Sequence, residues 1–311
     1  MTPSPTALRG VVPPVCTPLT PDMEIDAPSL ERLIAHLLEG GVDGLFVLGS
    51  TSEVAFLTDA HRARVLEVAV GAVAGQVPVV SGVIDTATLR VVEHARVAEK
   101  FGVDGIVATA PFYTRTHPAE IDGHFRRLRA ATELPVIAYD LPVSVHTKLG
   151  TAQLAALARE GVIQAVKDSS GDEGSFRRLL LDTADVAGFS VLTGSELTVD
   201  TAFRMGAHGV VPGLGNVDPH GYARLRDLAA AGEWDTAKVE QERLIALFGL
   251  VDAGAPERMG RGSSALGAFK AALHLLGVID CPLTAAPQIP LNATEVDVVR
   301  AHLVRAGLLA A

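Results

Sequence analysis

The chain has 311 residues, is 48% hydrophobic, and sets 26 basic against 36 acidic side chains for a net charge of −10. This apolar content excludes a disordered chain, and an acidic balance without a Lys/Arg run leaves no footprint for nucleic acid. The longest apolar stretch, residues 65–84, is broken by Glu67, Gln76 and Pro78, so no membrane span is expected.

The N-terminus, Met1 to Gly10, lacks the basic and apolar regions of a signal peptide. Residues 11–15 read as a first strand. Residues 30–39 follow with Leu30, Leu33, Ile34, Leu37 and Leu38 at i, i+3, i+4, i+7 and i+8, the stripe of an amphipathic helix. Ser29 is its expected cap. The alternation then repeats. Strand 44–48 leads to helix 60–74, opened by Thr58, and strand 77–81 to helix 87–101, opened by Thr86. Strands 105–109, 135–139, 162–166, 189–192 and 209–211 precede helices 120–132, 151–160, 173–183, 197–205 and 219–230. The strand runs are continuously apolar, as expected of parallel strands buried on both faces. An echo supports a repeating unit: Gly41-Val42-Asp43-Gly44, Gly102-Val103-Asp104-Gly105 and Gly206-Ala207-His208-Gly209 each stand before a strand.

Eight strand–helix units predict an α/β fold, the (β/α)8 TIM barrel, over residues 1–232. Helical patterns at 233–250, 263–276 and 294–309 predict a C-terminal helical extension over 233–311. A doubly wound open sheet is the alternative, but it usually has a Gly-rich first turn, and Val15-Cys16-Thr17-Pro18 has none. Two cysteines, Cys16 and Cys281, make no disulfide framework, so a reduced, cytoplasmic chain is expected.

A barrel of this kind carries its active site at the C-terminal strand ends. There the sequence places Gly49-Ser50-Thr51, Tyr113, Tyr139, Lys167, Gly194-Ser195-Glu196 and Gly213-Leu214-Gly215-Asn216. Only five lysines and three tyrosines occur in the chain. Lys167 alone among the lysines closes an apolar strand. Desolvation there should lower its pKa and free the amine to attack a carbonyl. Pairing with Asp168 is the structural alternative, and the other four lysines read as solvated. Tyr139 and Tyr113 suit proton transfer at a carbinolamine, with Ser50 or Thr51 as relay. Gly49-Ser50-Thr51 offers N–H groups and hydroxyls for a carboxylate. Tyr222, in the eighth helix, reads as a packing residue. The ten histidines are scattered without ligand spacing, so no metal is expected.

These motifs together resemble the dihydrodipicolinate synthase/N-acetylneuraminate lyase family of class I pyruvate-dependent aldolases. The match rests on Gly49-Ser50-Thr51-Ser52-Glu53, Pro111-Phe112-Tyr113, Tyr139-Asp140-Leu141-Pro142, Val166-Lys167-Asp168-Ser169-Ser170-Gly171-Asp172 and Gly209-Val210-Val211-Pro212-Gly213-Leu214-Gly215-Asn216. The resemblance implies a Schiff base between Lys167 and pyruvate or another 2-oxo acid, with an aldehyde as partner and no cofactor. It implies Tyr139 as acid/base, Ser50 and Tyr113 as relay, and Tyr113 reaching across a dimer interface of a homotetramer. It puts Gly49, Ser50 and Thr51 on the carboxylate, with Gly194, Glu196 and the Val211 carbonyl lining the pocket.

The departures from the family pattern bear on the substrate. Ser144 stands where dihydrodipicolinate synthases carry an arginine for the second substrate's carboxylate. Only Glu196 remains of the acidic pair found in sialic-acid lyases. Ser52 replaces a usual glycine and Asp140 a usual asparagine. The readings are therefore a Schiff-base lyase or aldolase acting on a substrate such as a 2-keto-3-deoxy sugar acid, a dihydrodipicolinate synthase using aspartate semialdehyde, or a 2-oxo-acid-binding barrel without turnover.

Overall fold

A computed structural model describes residues 8–310. The first seven residues, where no leader is expected, lie outside the described residues. Eight parallel strands form one sheet in the order β1-β8-β7-β6-β5-β4-β3-β2. They are β1 (Gly10–Val11), β2 (Leu45–Val47), β3 (Val79–Gly82), β4 (Gly105–Thr109), β5 (Val136–Asp140), β6 (Ala165–Asp168), β7 (Ser190–Thr193) and β8 (Gly209–Val210). The edges meet through a parallel bridge between Pro14 and Phe46, with the Val15 N–H bonded to the Phe46 carbonyl at 2.8 Å. The barrel is thereby closed, and the open-sheet alternative is excluded.

The helices of the barrel are α1 (Ala27–Glu39), α2 (Asp59–Val73), α3 (Thr88–Phe101), α4 (Pro118–Ala131), the short α5 (Pro142–Val145), α6 (Thr151–Arg159), α7 (Glu173–Asp182), α8 (Val199–Arg204) and α9 (Pro219–Ala231). Three more, α10 (Trp234–Phe248), α11 (Arg261–Leu275) and α12 (Ala293–Arg305), make up the C-terminal region. Thr58 caps α2 as expected, accepting from the His61 N–H at 3.2 Å. Two expected caps are corrected. Asp26 caps α1, and Ser29 is the residue whose N–H and hydroxyl it accepts. Ala87 opens α3, because the Thr86 hydroxyl is drawn to Asp85. Strand β6 also ends later than expected, at Asp168, which places Lys167 within the ladder.

The sequence echo has a physical cause. At the lower end of the barrel, each odd strand is clamped by the residue that precedes the next strand. Asp43, Asp104, Gln164 and His208 donate their own N–H groups to the carbonyls of Val11, Val79, Val136 and Val191 at 2.8–2.9 Å. Their side chains accept the N–H groups of the same four valines at 2.7–3.1 Å. Each clamp satisfies a backbone donor at a strand start that has no ladder partner there. The glycine two residues before each of Asp43, Asp104 and His208 adopts positive φ, 77°, 79° and 99°, letting the helix end turn tightly into the strand.

The core is continuous between barrel and C-terminal helices. Ala237, Leu244, Phe269, Leu273, Val299 and Leu303 belong to the same buried cluster as the strand valines. Gln241 on α10 accepts the Val199 N–H at 2.9 Å and donates to the Glu196 carbonyl at 2.9 Å, so the extension fixes the loop after β7.

Candidate active site

The upper strand ends present a row in register. Thr109 on β4, Tyr139 on β5, Lys167 on β6 and Leu192 on β7 are successive cross-strand partners. Alternation along the strands sends Tyr139 and Lys167 to one face of the sheet and Asp140 and Asp168 to the other. Lys167 is 5% exposed. Its amine lies 4.1 Å from the Tyr139 ring centroid and 4.9 Å from that of Phe46, and these two rings meet edge-to-face at 82°. Among the described residues no carboxylate lies within 4.0 Å of the Lys167 amine. Asp168, its alternative partner, instead receives the Ser170 N–H at 2.8 Å and faces Lys148 at 3.9 Å.

Tyr139 is buried, which alone would push its phenol up. The charge of Lys167, together with the polar groups of Lys167, Ser50 and Ser169 near the phenol, outweighs burial and holds the phenol below its ordinary value. Ser50 is thus near enough to act on the Tyr139 phenol. So is Ser169, which the sequence reading passed over although it lies inside the lysine motif. The packing signal for it is Gly194: a Cβ there would stand 2.0 Å from the Ser169 hydroxyl.

The loop after β2 is shaped by Ser52. Its buried hydroxyl donates to the Val15 carbonyl at 2.5 Å and accepts the Gly49 N–H at 3.1 Å. The Gly49 N–H is therefore occupied. Among the described residues the N–H groups of Ser50 and Thr51 donate to no protein acceptor. At the loop's far end Glu53 is fully buried, ion-paired with Lys270 on α11, and accepts the Ala285 N–H at 2.6 Å. Lys270 is thus no solvated lysine, whereas Lys148 ion-pairs with buried Asp140 and still remains exposed. Lys270 was misread because helical placement says nothing about a distant carboxylate.

Glu196 lies in the loop after β7. Its Oε1 accepts the Leu214 N–H at 2.5 Å, and burial pushes the carboxyl up to about 7, although Lys167 pulls the other way. Tyr222 on α9 is fully buried with its hydroxyl 3.5 Å from the same Oε1. It packs in the core as expected, with its hydroxyl satisfied by Glu196. Val211 is buried at the end of β8, and its N–H bonds the Thr193 carbonyl at 2.8 Å. Tyr113 stands apart. It is 93% exposed on a backbone with φ 77°, and makes no hydrogen bond to Ser50 within the chain.

The histidines have local uses. His117 caps α4 in a capping box with Glu120, His94 bonds Asp85 at 3.0 Å, and His36 bonds the Asn216 carbonyl at 3.1 Å. Among the described residues no three His, Cys, Asp or Glu side chains converge as a metal site, and no helix is long and apolar enough to cross a membrane.

Comparison with known proteins gives a family match over nearly the whole chain. A family model described as the dihydrodipicolinate synthetase family matches residues 7–306. A protein of Halobacterium salinarum named an uncharacterized DapA-like lyase is 32% identical over 305 residues, covering 98% of this chain and 96% of its own. A 4-hydroxy-tetrahydrodipicolinate synthase of Kineococcus radiotolerans is 32% identical, covering 96% of this chain and 93% of its own. A prophage protein of the dihydrodipicolinic acid synthase family from E. coli K12, solved in complex with pyruvate, superposes with a TM-score of 0.90 at 26% identity, covering 97% and 99%.

Proposed function

From a chain that belongs to the dihydrodipicolinate synthetase family, and is a lyase of that family, we propose a Schiff-base mechanism on pyruvate or a 2-oxo acid such as a 2-keto-3-deoxy sugar acid. The carrying observation is the Lys167 amine, buried over the Tyr139 ring without a carboxylate partner within 4.0 Å among the described residues. The unprotonated amine attacks C2 of the 2-oxo acid. Tyr139 hands a proton to the departing hydroxyl, water leaves, and an iminium remains. In the cleavage direction the C4 hydroxyl gives its proton to the Tyr139 phenolate, the C3–C4 bond breaks, and its electron pair enters the iminium to give an enamine and an aldehyde. Protonation at C3 and hydrolysis return pyruvate and the free amine. The iminium is itself the electron sink, so the mechanism calls for no cofactor and no metal.

The N–H groups of Ser50 and Thr51 suit the substrate carboxylate, and Gly49 is assigned to hold the turn rather than to donate, because its N–H is taken by Ser52. Gly194, Glu196 and Val211 line the remaining wall. Tyr113, exposed and held at positive φ, fits a phenol delivered to the Ser50 of a neighbouring protomer in a homotetramer. Its hydroxyl would complete the relay Tyr139–Ser50–Tyr113. A reduced, cytoplasmic protein fits the two free cysteines.

Borohydride reduction in the presence of pyruvate, followed by peptide mass mapping, tests the reading. An adduct on Lys167 is expected, and a chain that stays unmodified there overturns it. A second reading, the synthase itself, is favoured by the name of the Kineococcus relative. Against it, Ser144 brings no positive charge, and Lys148 is committed to Asp140. Turnover of pyruvate with aspartate semialdehyde in a coupled assay would establish that second reading.

A further inference from the structure

We infer that Lys148 is a positioning residue for Tyr139 and Lys167, acting as the shared counter-charge of Asp140 and Asp168 on the outer face of β5 and β6; this rests on the imine reading above. Asp140 and Asp168 are register partners across the two strands, 0% and 5% exposed. Like charges directly opposed on neighbouring strands repel, and burial pushes the Asp140 carboxyl up even with its partners present. Lys148 ion-pairs with Asp140 and stands 3.9 Å from Asp168 Oδ2. The Leu149 N–H completes Asp140 at 3.0 Å, and the Ser170 N–H completes Asp168 at 2.8 Å. The bridge therefore sits one residue beyond each reacting side chain, and an acid where the family has an asparagine is balanced by a base eight residues later.

Lys167 is faced by Tyr139 from β5 and by Glu196 from the loop after β7. Behind it lie Asp140, Asp168 and Lys148, with Asp172 next to Lys148. Without Lys148, the opposed Asp140 and Asp168 carboxylates repel across the β5–β6 pair and loosen the register that aligns Lys167 with Tyr139.

The test compares Lys148→Met, Asp140→Asn, the double variant and Lys148→Arg by the rate and pH profile of borohydride trapping with pyruvate. Lys148→Met is expected to trap about tenfold more slowly at neutral pH, with a pH profile displaced from that of wild type. Asp140→Asn, the double variant and Lys148→Arg should each stay within about threefold of wild type. An unchanged rate and profile in Lys148→Met, or a double variant no better than Lys148→Met, overturns the inference. Should Lys148→Met fail to fold, a folded double variant supports the bridge, and failure of both overturns it. Should wild type trap no pyruvate, the imine reading fails separately. Modification of Lys167 by trinitrobenzenesulfonate, mapped by peptide mass in the same proteins, then reads the same rate order and profile shift.

Discussion

Two lysines are buried at opposite ends of the Gly49–Glu53 loop, and their surroundings differ in kind. Lys270, 1% exposed, ion-pairs with Glu53 and donates to the Leu283 carbonyl at 2.7 Å, so its charge is matched and its protons are placed. Lys167, 5% exposed, meets two aromatic faces and a phenol, with no carboxylate in ion-pair range among the described residues. Burial is common to both, so burial by itself does not make an amine reactive. A matched ammonium is a fastener, and removing one side of it strands the other charge. An amine among aromatic rings is left available for bond formation.

The strongest way to break this contrast is to exchange the roles. Lys167→Arg should give no borohydride adduct and lower turnover by roughly a thousandfold or more, with the melting temperature little changed. Lys270→Met should do the reverse. Stability should fall by about 3–5 kcal/mol in denaturant titration, Lys167 should still be trapped in the folded fraction, and Glu53→Gln added to Lys270→Met should recover much of the loss. Tyr139→Phe should lower kcat about a hundredfold with the fold intact, as measured by steady-state kinetics and thermal unfolding.

Glu196 sharpens the comparison, because its carboxyl is raised from 4.5 to about 7, chiefly by burial. The native state then keeps a proton that the unfolded chain has released. Stability should decline as pH rises from about 4.5 to 7 and level off above, by about 2 kcal/mol relative to Glu196→Gln, which lacks this titration. The smallest effect is expected from Ser52→Gly, which removes the tie between the Gly49 N–H and the Val15 carbonyl. It should cost about 1–2 kcal/mol in chemical denaturation and leave trapping at Lys167 in place.

The strands and helices were legible because each rests on local periodicity. Eight buried runs and the helices between them follow from the spacing of Val, Ile and Leu alone. Lys167, Tyr139 and Ser50 were legible for a related reason: a strand end in a barrel is a known place, and a scarce reactive residue there stands out. What escaped notice depends on contacts remote in the chain. Glu53 and Lys270 are 217 positions apart in the sequence, and nothing beside Lys270 announces a carboxylate. Tyr222 and Glu196 meet only because α9 folds back over the loop after β7. The caps at Ser29 and Thr86 failed more locally: Asp26 takes the cap bond of α1, and the Thr86 hydroxyl turns to Asp85, leaving α3 without a side-chain cap.

The four clamps at the lower end of the barrel divide it by joining β1 to β2, β3 to β4, β5 to β6 and β7 to β8, and no clamp of this form spans the intervening pairs among the described residues. The barrel is thus assembled from four strand-pair quarters, and one quarter, β5–β6, carries both Tyr139 and Lys167. New termini opened at Gly75, between quarters, leave every clamp within one continuous stretch of chain. Termini opened at Gly102 set Val79 and Asp104 at opposite ends of the polypeptide. Circular permutation and fragment exchange therefore have preferred seams, and the Tyr139–Lys167 pair moves between such barrels as one cassette of two strands.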